Sequence, residues 1–373
     1  MTTWHLLAPE YPPDCGGVGD YTALVAAGLA DAGDVVHVWH VGASIGPIER
    51  TIGPRLLVHR LPDRFGRNSC HAIAAALSAA PGIVVAQYVP GAFGARGLNL
   101  PFCLWLGRMR REGTDVRIMF HEPFFYFGLS RPWRNVFAVV QRAMAAMLLR
   151  AGTRVYYSTE TWTRLLTPYG PQTSVEVLPI PATIPVDVPA DAIAAARGRR
   201  RSAFVIGHFG TFGDHVGRQL DEILPALLRR LPDARVLLVG EGGEAFARTL
   251  PSVLHDRVDA TGRLAGAEAG AALRACDLLV QPYLDGVTTR RTSVMAALTT
   301  SVPVLTTAGP LTEPVWTQTS AVALAPTGNV PALVETAAGL AADPAARAAL
   351  GARGRDLYDG RFALHVTIAR MRR

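Results

Sequence analysis

The amino-acid sequence contains no lysine, so all 37 of its basic residues are arginines. Together with 30 acidic residues they give a net charge of +7. Arginine offers a planar fork of donors that suits phosphate, but this charge balance fits an anionic membrane surface or nucleic acid as well. Since only 8% of the residues are aromatic and no nucleic-acid-binding motif is present, we expect no nucleic-acid partner.

Cysteines and long apolar runs are also scarce, which excludes further classes of protein. The cysteines form no C-x-x-C pair, which argues against a disulfide framework and against a zinc site, so no metal is expected. They are Cys15, Cys70, Cys103 and Cys276. No apolar run approaches the roughly 20 residues that cross a bilayer, and the N-terminus lacks the pattern of a signal peptide. We therefore expect a cytoplasmic protein.

Short apolar, β-rich runs alternate with helical patterns along the whole chain, as in βαβ units with mainly parallel sheets. The chain of 373 residues exceeds what one hydrophobic core usually supports. A stretch that is first proline-rich and then arginine-rich separates two series of such units. The sequence predicts an α/β fold with a first domain over 1–180, a linker over 181–202, a second domain over 203–355, and a C-terminal helix over 356–373 that could pack on either domain.

The patterns also predict individual elements. Strands are expected at Trp4–Ala8, Val35–His40, Ile83–Tyr88, Val116–Phe120, Arg154–Ser158, Phe204–Phe209, Arg235–Val239, Asp277–Gln281 and Val302–Thr306. Helices are expected near Val18–Ala32, His71–Ala79, Phe102–Arg111, Pro132–Arg150, Gly217–Leu231, Ala267–Ala275 and Thr289–Thr300, with further helical segments from Val330 onward.

A glycine-rich loop lies between the first strand and the first helix. Gly16, Gly17 and Gly19 would let the backbone approach a ligand closely and direct amide N–H groups at an anion near the start of the helix. An ordinary flexible loop before a helix is the alternative. Further along, His121 and Glu122 directly follow an apolar strand, in the position where open α/β sheets bind ligands.

The segment from Gln281 to Thr307 carries the most information. A buried strand is followed by a turn at Asp285–Gly286, and the hydroxyls of Thr288 and Thr289 could cap the next helix. Arg290 and Arg291 then lie in its first turn, where cations are unfavourable unless an anion is bound. A diphosphate could accept hydrogen bonds from both guanidinium groups. A solvated arginine pair is the alternative.

A second glycine motif, Gly240-Glu241-Gly242, follows a strand and fits G-x-G-x-x-A, with Asp259 at the distance of a dinucleotide fingerprint. It belongs to the second βα unit of its half, whereas the fingerprint belongs to the first. An NAD-dependent enzyme that uses Gly240 and Gly242 remains an alternative.

Taken together, these motifs resemble the GT-4-like branch of the GT-B glycosyltransferases over nearly the whole chain. The resemblance rests on Gly16 to Gly19, on His121-Glu122-Pro123, on Gly207 to Gly213, on Thr261 to Leu264 and on Asp277 to Thr307. It implies two Rossmann-like domains whose sheets face a central cleft. The implied activity is transfer of a sugar from a UDP- or GDP-sugar, with retention of configuration and without a separate cofactor.

The resemblance also implies roles for individual residues. Catalytic roles fall to His121, Glu122 and Asp285. Donor-binding roles fall to Gly16, Gly17, Gly19, Gly210, Thr211, Arg263, Leu264, Gly286, Val287, Thr288, Thr289, Arg290, Arg291 and Ser293. The usual E-x7-E motif of the family begins here with Asp285 and ends with Ser293, and the usual Arg and Lys near Gly210 are absent. We hypothesise that Arg290 and Arg291 replace the missing positive charge.

Several partners and activities stay open at this point. The acceptor could be a glycan, a lipid-linked molecule or a small molecule. An epimerase or phosphorylase of the same fold, or a catalytically inactive nucleotide-binding protein, would share these motifs. Pro101 to Arg111 combines apolar and arginine side chains and would suit peripheral contact with the inner membrane face, although a core-facing amphipathic helix has the same pattern.

Overall fold

The computed structural model describes residues 1–14, 16–42, 49–91, 93–94, 97–128, 133–171, 175–184, 188–198 and 203–373. Cys15 and Pro132, where one predicted helix starts, lie outside these ranges. The chain forms two compact units, which are Met1–Pro179 together with Leu364–Arg373, and Ile180–Ala363. The other cysteines, Cys70, Cys103 and Cys276, are free thiols.

The first unit is built on an eight-stranded sheet. Its strands are β1 (Thr3–Ala8), β2 (Val35–His40), β3 (Glu49–Gly53), β4 (Leu56–Arg60), β5 (Ile83–Tyr88), β6 (Val116–Phe120), β7 (Arg154–Tyr157) and β8 (Val175–Val177). They lie in the order β3-β4-β2-β1-β5-β6-β7-β8. The pairs are parallel, except that β3 pairs with β4 in antiparallel fashion. Every residue of β6 is buried, as expected for a central strand covered on both faces.

Helices connect these strands and cover both faces of the sheet. They are α1 (Gly17–Asp31), α2 (Arg67–Ala79), α3 (Leu100–Arg111), α4 (Arg134–Ala151) and α5 (Thr161–Leu166). Helices α3 and α4 pack against one another and, with β5 and β6, form one core that includes Phe102, Leu106 and Leu148.

The second unit has a six-stranded, fully parallel sheet in the order β11-β10-β9-β12-β13-β14. Its strands are β9 (Val205–Phe209), β10 (Arg235–Val239), β11 (Val258–Ala260), β12 (Leu278–Gln281), β13 (Val304–Ala308) and β14 (Ala323–Pro326). Its helices are α6 (Ala190–Arg197), α7 (Asp214–Arg230), α8 (Gly243–Thr249), α9 (Gly266–Arg274), α10 (Thr292–Thr299), α11 (Pro314–Thr319), α12 (Val330–Ala342) and α13 (Pro344–Leu357). Two parallel-sheet units are therefore present, as predicted.

The stretch predicted as a linker contains a helix. Helix α6 packs against α9, and Arg197 donates to the carboxylate of Asp277 at 2.8 Å. Part of the predicted linker therefore contributes to the second unit. Its alanine-rich pattern is too short to show a clear helical period in the sequence.

The C-terminal segment differs from one continuous helix. A π-helical turn at Tyr358–Phe362 ends the second unit, and α14 (Leu364–Met371) then returns to the first unit. There α14 packs against α1 and buries Ile368 and Met371. The guanidinium group of Arg117 on β6 donates to the backbone carbonyl of Met371, which ties the last helix to the centre of the sheet.

Candidate active site

In the second unit, polar loops meet at the point of the sheet from which successive strands are added in opposite directions. Strands β9 and β12 are neighbours, but the chain continues from β9 to β10 on one side and from β12 to β13 on the other. Ligands of open α/β sheets bind at such a switch point, beyond the carboxyl ends of the strands. Gly210 and Thr211 follow β9 at this edge, and Thr211 is exposed.

Gly210 and Gly240 have a clear packing role. Gly210 has a φ of 147° and Gly240 a φ of 132°, which side chains rarely adopt. A Cβ at Gly240 would overlap the carbonyl oxygen of Gly210. Gly242, with a φ of 86°, is the N-cap of α8. Close contact between the β9 and β10 loops therefore accounts for the first glycine of the apparent dinucleotide motif without a bound NAD.

Arg263 and Leu264 follow β11 at the same edge of the sheet. Arg263 is exposed, and its guanidinium group lies 3.9 Å from the carboxylate of Glu241. Leu264 is half-buried. The pair lies beside the β10 loop, and its role in holding a base stays a prediction.

The loop from Asp285 to Arg291 is fixed by contacts with the neighbouring loop after β13. Gly286 has a φ of 89°, and a Cβ there would meet the backbone nitrogen of Gly309 and the hydroxyl of Thr312. Leu311 donates its backbone N–H to the carbonyl of Asp285 at 2.8 Å. The Asp285 side chain is exposed, whereas Val287 and Thr288 are buried. The Thr288 hydroxyl has no hydrogen-bond partner within the described residues.

Glu313 is the functional candidate that the sequence analysis missed. Its side chain is only 3% exposed and accepts hydrogen bonds from the backbone N–H and the hydroxyl of Thr289. The capping role predicted for Thr288 and Thr289 is wrong, because α10 begins at Thr292 and its N-cap is Arg291, which makes no side-chain capping bond. A signal was present in the sequence, since Glu313 follows the end of β13 and precedes Pro314 at the start of α11.

The two arginines stand at the start of α10, slightly earlier than predicted. Arg291 is the N-cap residue, so Arg290 precedes the helix. The guanidinium group of Arg291 lies over the ring of Tyr283 at 4.4 Å from its centroid. The hydroxyl of that tyrosine is 2.7 Å from the Oγ of Ser293, the residue at the end of the degenerate E-x7-E motif. The structure thus brings together Asp285 to Ser293 in one loop and helix start.

His208 lies at the same switch point and was not singled out as a site residue. Its Nδ1 donates to the carbonyl oxygen of Val280 on the neighbouring strand at 2.8 Å. Burial lowers the pKa of His208 to about 4, so the imidazole is neutral at ordinary pH. A neutral imidazole that donates from Nδ1 keeps Nε2 as an acceptor.

In the first unit, the glycine loop lies against an acidic side chain. Gly16 is the N-cap of α1, and the N–H of Gly19 donates to the carboxylate of Glu10 at 3.2 Å. A Cβ at Gly16 would overlap this carboxylate, whereas a Cβ at Gly17 would meet nothing within 4 Å. Close approach of Glu10 therefore explains the glycine at position 16.

His121 follows β6, as the motif predicts, and is buried at the end of the sheet. Its Nε2 is 2.9 Å from the side-chain oxygen of Gln87 on β5. Its backbone carbonyl accepts from Ser158 Oγ at 3.1 Å and from Trp162 Nε1 at 3.0 Å. Burial lowers the pKa of His121 to about 3. The side chain is therefore a neutral hydrogen-bonding group, and the adjacent Glu122 is half-buried.

The helix suggested for membrane contact buries most of its apolar residues. Phe102, Leu106 and Met109 of α3 lie in the core, and the exposed apolar side chains are Leu100 and Leu104. A core-facing amphipathic helix thus accounts for the pattern. No helix in the described part of the chain is long and apolar enough to cross a membrane. Within the same ranges, no three His, Cys, Asp or Glu side chains are grouped so as to hold a metal ion.

Comparison with known proteins places these loops in a family context. Residues 203–343 match the family model described as glycosyl transferases group 1. A sucrose-phosphate synthase from Thermosynechococcus elongatus superposes with a TM-score of 0.75 at 16% identity, covering 100% of this chain and 97% of the synthase. The chain has the GT-B glycosyltransferase fold.

Two further GT-B structures are similar over almost the whole chain. Anabaena HepE, in complex with UDP and glucose, has a TM-score of 0.69 at 14% identity and covers 100% of this chain and 98% of its own. WaaG, a glycosyltransferase involved in lipopolysaccharide biosynthesis, has a TM-score of 0.68 at 16% identity, with 98% of each chain covered. No curated protein sequence matches the chain. The resemblance to GT-B glycosyltransferases stated from the motifs is confirmed.

Proposed function

We propose that the protein transfers a sugar from a nucleotide-diphosphate sugar to an acceptor hydroxyl. The observation that carries this proposal is the ordered loop from Asp285 to Ser293, with two arginines at a helix start, at the switch point of the unit that matches the glycosyltransferase family. The UDP and glucose bound by HepE support a donor of this class. The donor is a UDP- or GDP-sugar, and no separate cofactor is required.

Arg290 and Arg291 supply the positive charge for the diphosphate in this proposal. Guanidinium groups form charge-assisted hydrogen bonds with phosphate oxygens, and free N–H groups at the start of α10 add partial positive charge. Glu313 fixes the loop through Thr289, which keeps the arginines in place. Arg263 and Leu264 would contact the base, and Gly210 would allow close approach of the donor.

The chemical step exchanges one bond at the anomeric carbon for another. The bond from this carbon to the diphosphate oxygen breaks as a bond to the acceptor oxygen forms, and the acceptor proton passes to the departing diphosphate. Such front-face transfer retains the configuration, which is the outcome we propose. The acceptor is a saccharide, a lipid-linked molecule or a small molecule. His121 contributes as a neutral hydrogen-bonding group beside the sugar.

Nucleotide binding by arginine variants tests the donor site. Arg290→Ala and Arg291→Ala should each weaken UDP or GDP binding by about 10- to 150-fold, because a charge-assisted hydrogen bond contributes about 1.5–3 kcal/mol. Isothermal titration calorimetry measures the dissociation constants. The matched control is Arg229→Ala, which changes an exposed arginine in the last turn of α7. This variant should bind like the wild type. Unchanged binding in both site variants would refute the assignment.

Release of nucleoside diphosphate on turnover separates sugar transfer from the other activities of this fold. An epimerase returns its nucleotide sugar without releasing UDP or GDP, and an inactive protein binds nucleotide without any turnover. The inactive protein is favoured only by Ser293, which stands where the family has a carboxylate and whose hydroxyl is hydrogen-bonded to that of Tyr283. A melting shift with NAD(H) but not with UDP or GDP would instead support the dinucleotide alternative.

A further inference from the structure

A cavity of about 360 Å³ lies in the second unit between the first half of α7 and the start of α12. We call it the α7–α12 cavity. The ends of β13 and β14 and the loop after β12 complete its wall. Small-molecule sites have volumes of about 300 to 1,000 Å³, so this one suits a compound of about one or two rings.

The floor of the α7–α12 cavity is apolar. Ile223 of α7 and Leu333 of α12 are buried and belong to the core of the unit. Val330, in the first turn of α12, packs on the same core. Leu284 after β12 is 51% exposed although its side chain is large and apolar, so an occupant would remove part of this surface from water. The cavity therefore favours a ligand with an apolar body.

The rim of the cavity is polar, and its charges balance. Arg218 and Glu222 lie one turn apart on α7, and both are exposed. A guanidinium group only donates, so the Nδ1 of His215 accepts from Arg218, at 3.3 Å. Asn329 caps α12 with its side-chain oxygen, and its amide nitrogen still offers donor hydrogens. One cation and one anion give little net attraction for a charged ligand, whereas the amide group suits a neutral polar one.

Two threonine hydroxyls connect the cavity to the loop that carries the proposed donor site. Thr307 lines the cavity, and its hydroxyl accepts the backbone N–H of Tyr283 at 2.8 Å and donates to the carbonyl of Tyr283 at 2.6 Å. The hydroxyl of Thr327, in the turn after β14, donates to the carbonyl of Leu284 at 3.0 Å. The segment Tyr283–Leu284 is therefore fixed by the ends of β13 and β14.

The same segment supports a side chain that we assign to the diphosphate. The guanidinium group of Arg291 lies 4.4 Å from the centroid of the Tyr283 ring, and the hydroxyl of Tyr283 is 2.7 Å from the Oγ of Ser293. Among the described residues, none from 285 to 293 lines the cavity. A compound that packs against Leu284 and Thr307 thus contacts the support of Arg291 without contacting the arginine itself.

We propose that the α7–α12 cavity binds an uncharged small molecule with a ring body and a hydroxyl or amide group, and that this compound changes the affinity for the nucleotide. The binding part of the proposal depends on the cavity alone. The second part rests on the proposed function, because it requires the nucleotide at Arg290 and Arg291. Coupling between two binding sites is reciprocal, so the nucleotide should change the affinity for the small molecule by the same factor.

Calorimetry on the full chain tests the binding part with 2-naphthol, an uncharged two-ring compound with one hydroxyl. Leu284→Ala and Val330→Ala should each weaken 2-naphthol binding by about tenfold, since each removes apolar surface that the rings would cover. The matched control is Val253→Ala, which shortens an exposed side chain of the same unit that does not line the cavity. This variant should bind like the wild type. 2-Naphthoate should bind more weakly than 2-naphthol, because its carboxylate loses hydration without gaining a net positive partner.

Titration of UDP or GDP with and without saturating 2-naphthol tests the coupling. The dissociation constant of the nucleotide should change by at least about fivefold in the wild type. Thr307→Val removes the hydroxyl that holds Tyr283 and should bring this factor close to one. Thr307→Ser keeps the hydroxyl and should retain the factor.

Separate results would overturn each part of the proposal. Absence of 2-naphthol binding to the wild type, or equal binding to the wild type, Leu284→Ala and Val330→Ala, would exclude the cavity as its site. Tighter binding of 2-naphthoate would overturn the preference for an uncharged compound. An unchanged nucleotide dissociation constant in the presence of bound 2-naphthol would overturn the coupling. If neither UDP nor GDP binds at all, the proposed function fails and the coupling with it, while the 2-naphthol measurements still decide on the cavity.

Discussion

The buried histidines of this protein are held in the neutral form. Burial lowers the pKa of His5 to about 4, and the neighbouring His37 and His59 lower it further, against the hydrogen bond to the Ala80 carbonyl. The pKa values of His37 and His59 are also lowered, mainly by burial. The rings of these three side chains stack across β1, β2 and β4, and His59 also contacts Glu49 at 3.2 Å.

The stability of the first unit should fall as the pH decreases from about 6.5 towards 4. An unfolded histidine titrates near 6.5, so below this pH the unfolded chain binds protons that the folded protein excludes. Urea unfolding at several pH values measures the slope. Glutamine at position 5 can still donate to Ala80 and accept from Trp39. His5→Gln should therefore reduce the number of protons taken up on unfolding by about one. The exposed His71→Asn should keep the wild-type slope, and an unchanged slope in His5→Gln would contradict the prediction.

Glu313 should matter for stability as well as for the site. Replacing it with alanine leaves the buried backbone N–H of Thr289 without this acceptor, at a cost of about 1–3 kcal/mol. Urea unfolding of Glu313→Ala should show that decrease in the free energy of unfolding of the second unit. Thr289→Ser keeps the hydroxyl and the N–H and should unfold almost like the wild type. A wild-type midpoint in Glu313→Ala would mean that the loop does not need this carboxylate.

At the scale of helices and strands, α14 completes the first unit. Removing residues 364–373 exposes the surface of α1 that Ile368 and Met371 cover, and each side chain contributes about 1.5–3 kcal/mol through burial. Hydrogen exchange should become faster in α1 and β6 of this truncated chain, while the second unit keeps its protection. Removal of Arg373 alone is the control. Equal protection of α1 in both chains would show that α14 contributes little.

The long strands and helices were predictable because their patterns are strong. Val35–His40, Ile83–Tyr88, Val116–Phe120 and Arg235–Val239 have the predicted bounds, since each is a short segment rich in apolar, mainly β-branched residues. Short strands such as β8 and β11 were missed because three residues carry no period. The exposed β3 was missed because its polar residues resemble a loop.

The candidate site was predictable only in part. The motifs identified the loop of Asp285 to Ser293, since its glycine, hydroxyls and arginines are contiguous in sequence. Glu313 and Glu10 were missed because the groups that donate hydrogen bonds to them lie far away in the sequence. Thr289 is 24 residues from Glu313, and Gly19 is 9 residues from Glu10. Single carboxylates carry no motif, so their roles became visible only from the fold.

At the scale of the whole molecule, each unit has its own buried core and should respond to ligands by itself. Differential scanning calorimetry should resolve two transitions. UDP or GDP at about 100 times its dissociation constant should stabilise the second unit by about 2.7 kcal/mol. The unfolding temperature of the first unit should not change with the nucleotide alone. A shift in the transition of the first unit only would contradict the proposed location of the donor site.

The return of α14 to the first unit has a consequence for synthesis. The second unit is inserted into the sequence of the first, because Ile180–Ala363 lies between Pro179 and Leu364. During translation the first unit therefore lacks α14 until residues 364–371 have been made, whereas the second unit has all its residues before then. The domain that begins first is finished last, and the folded second unit shortens the loop that must close when α14 docks.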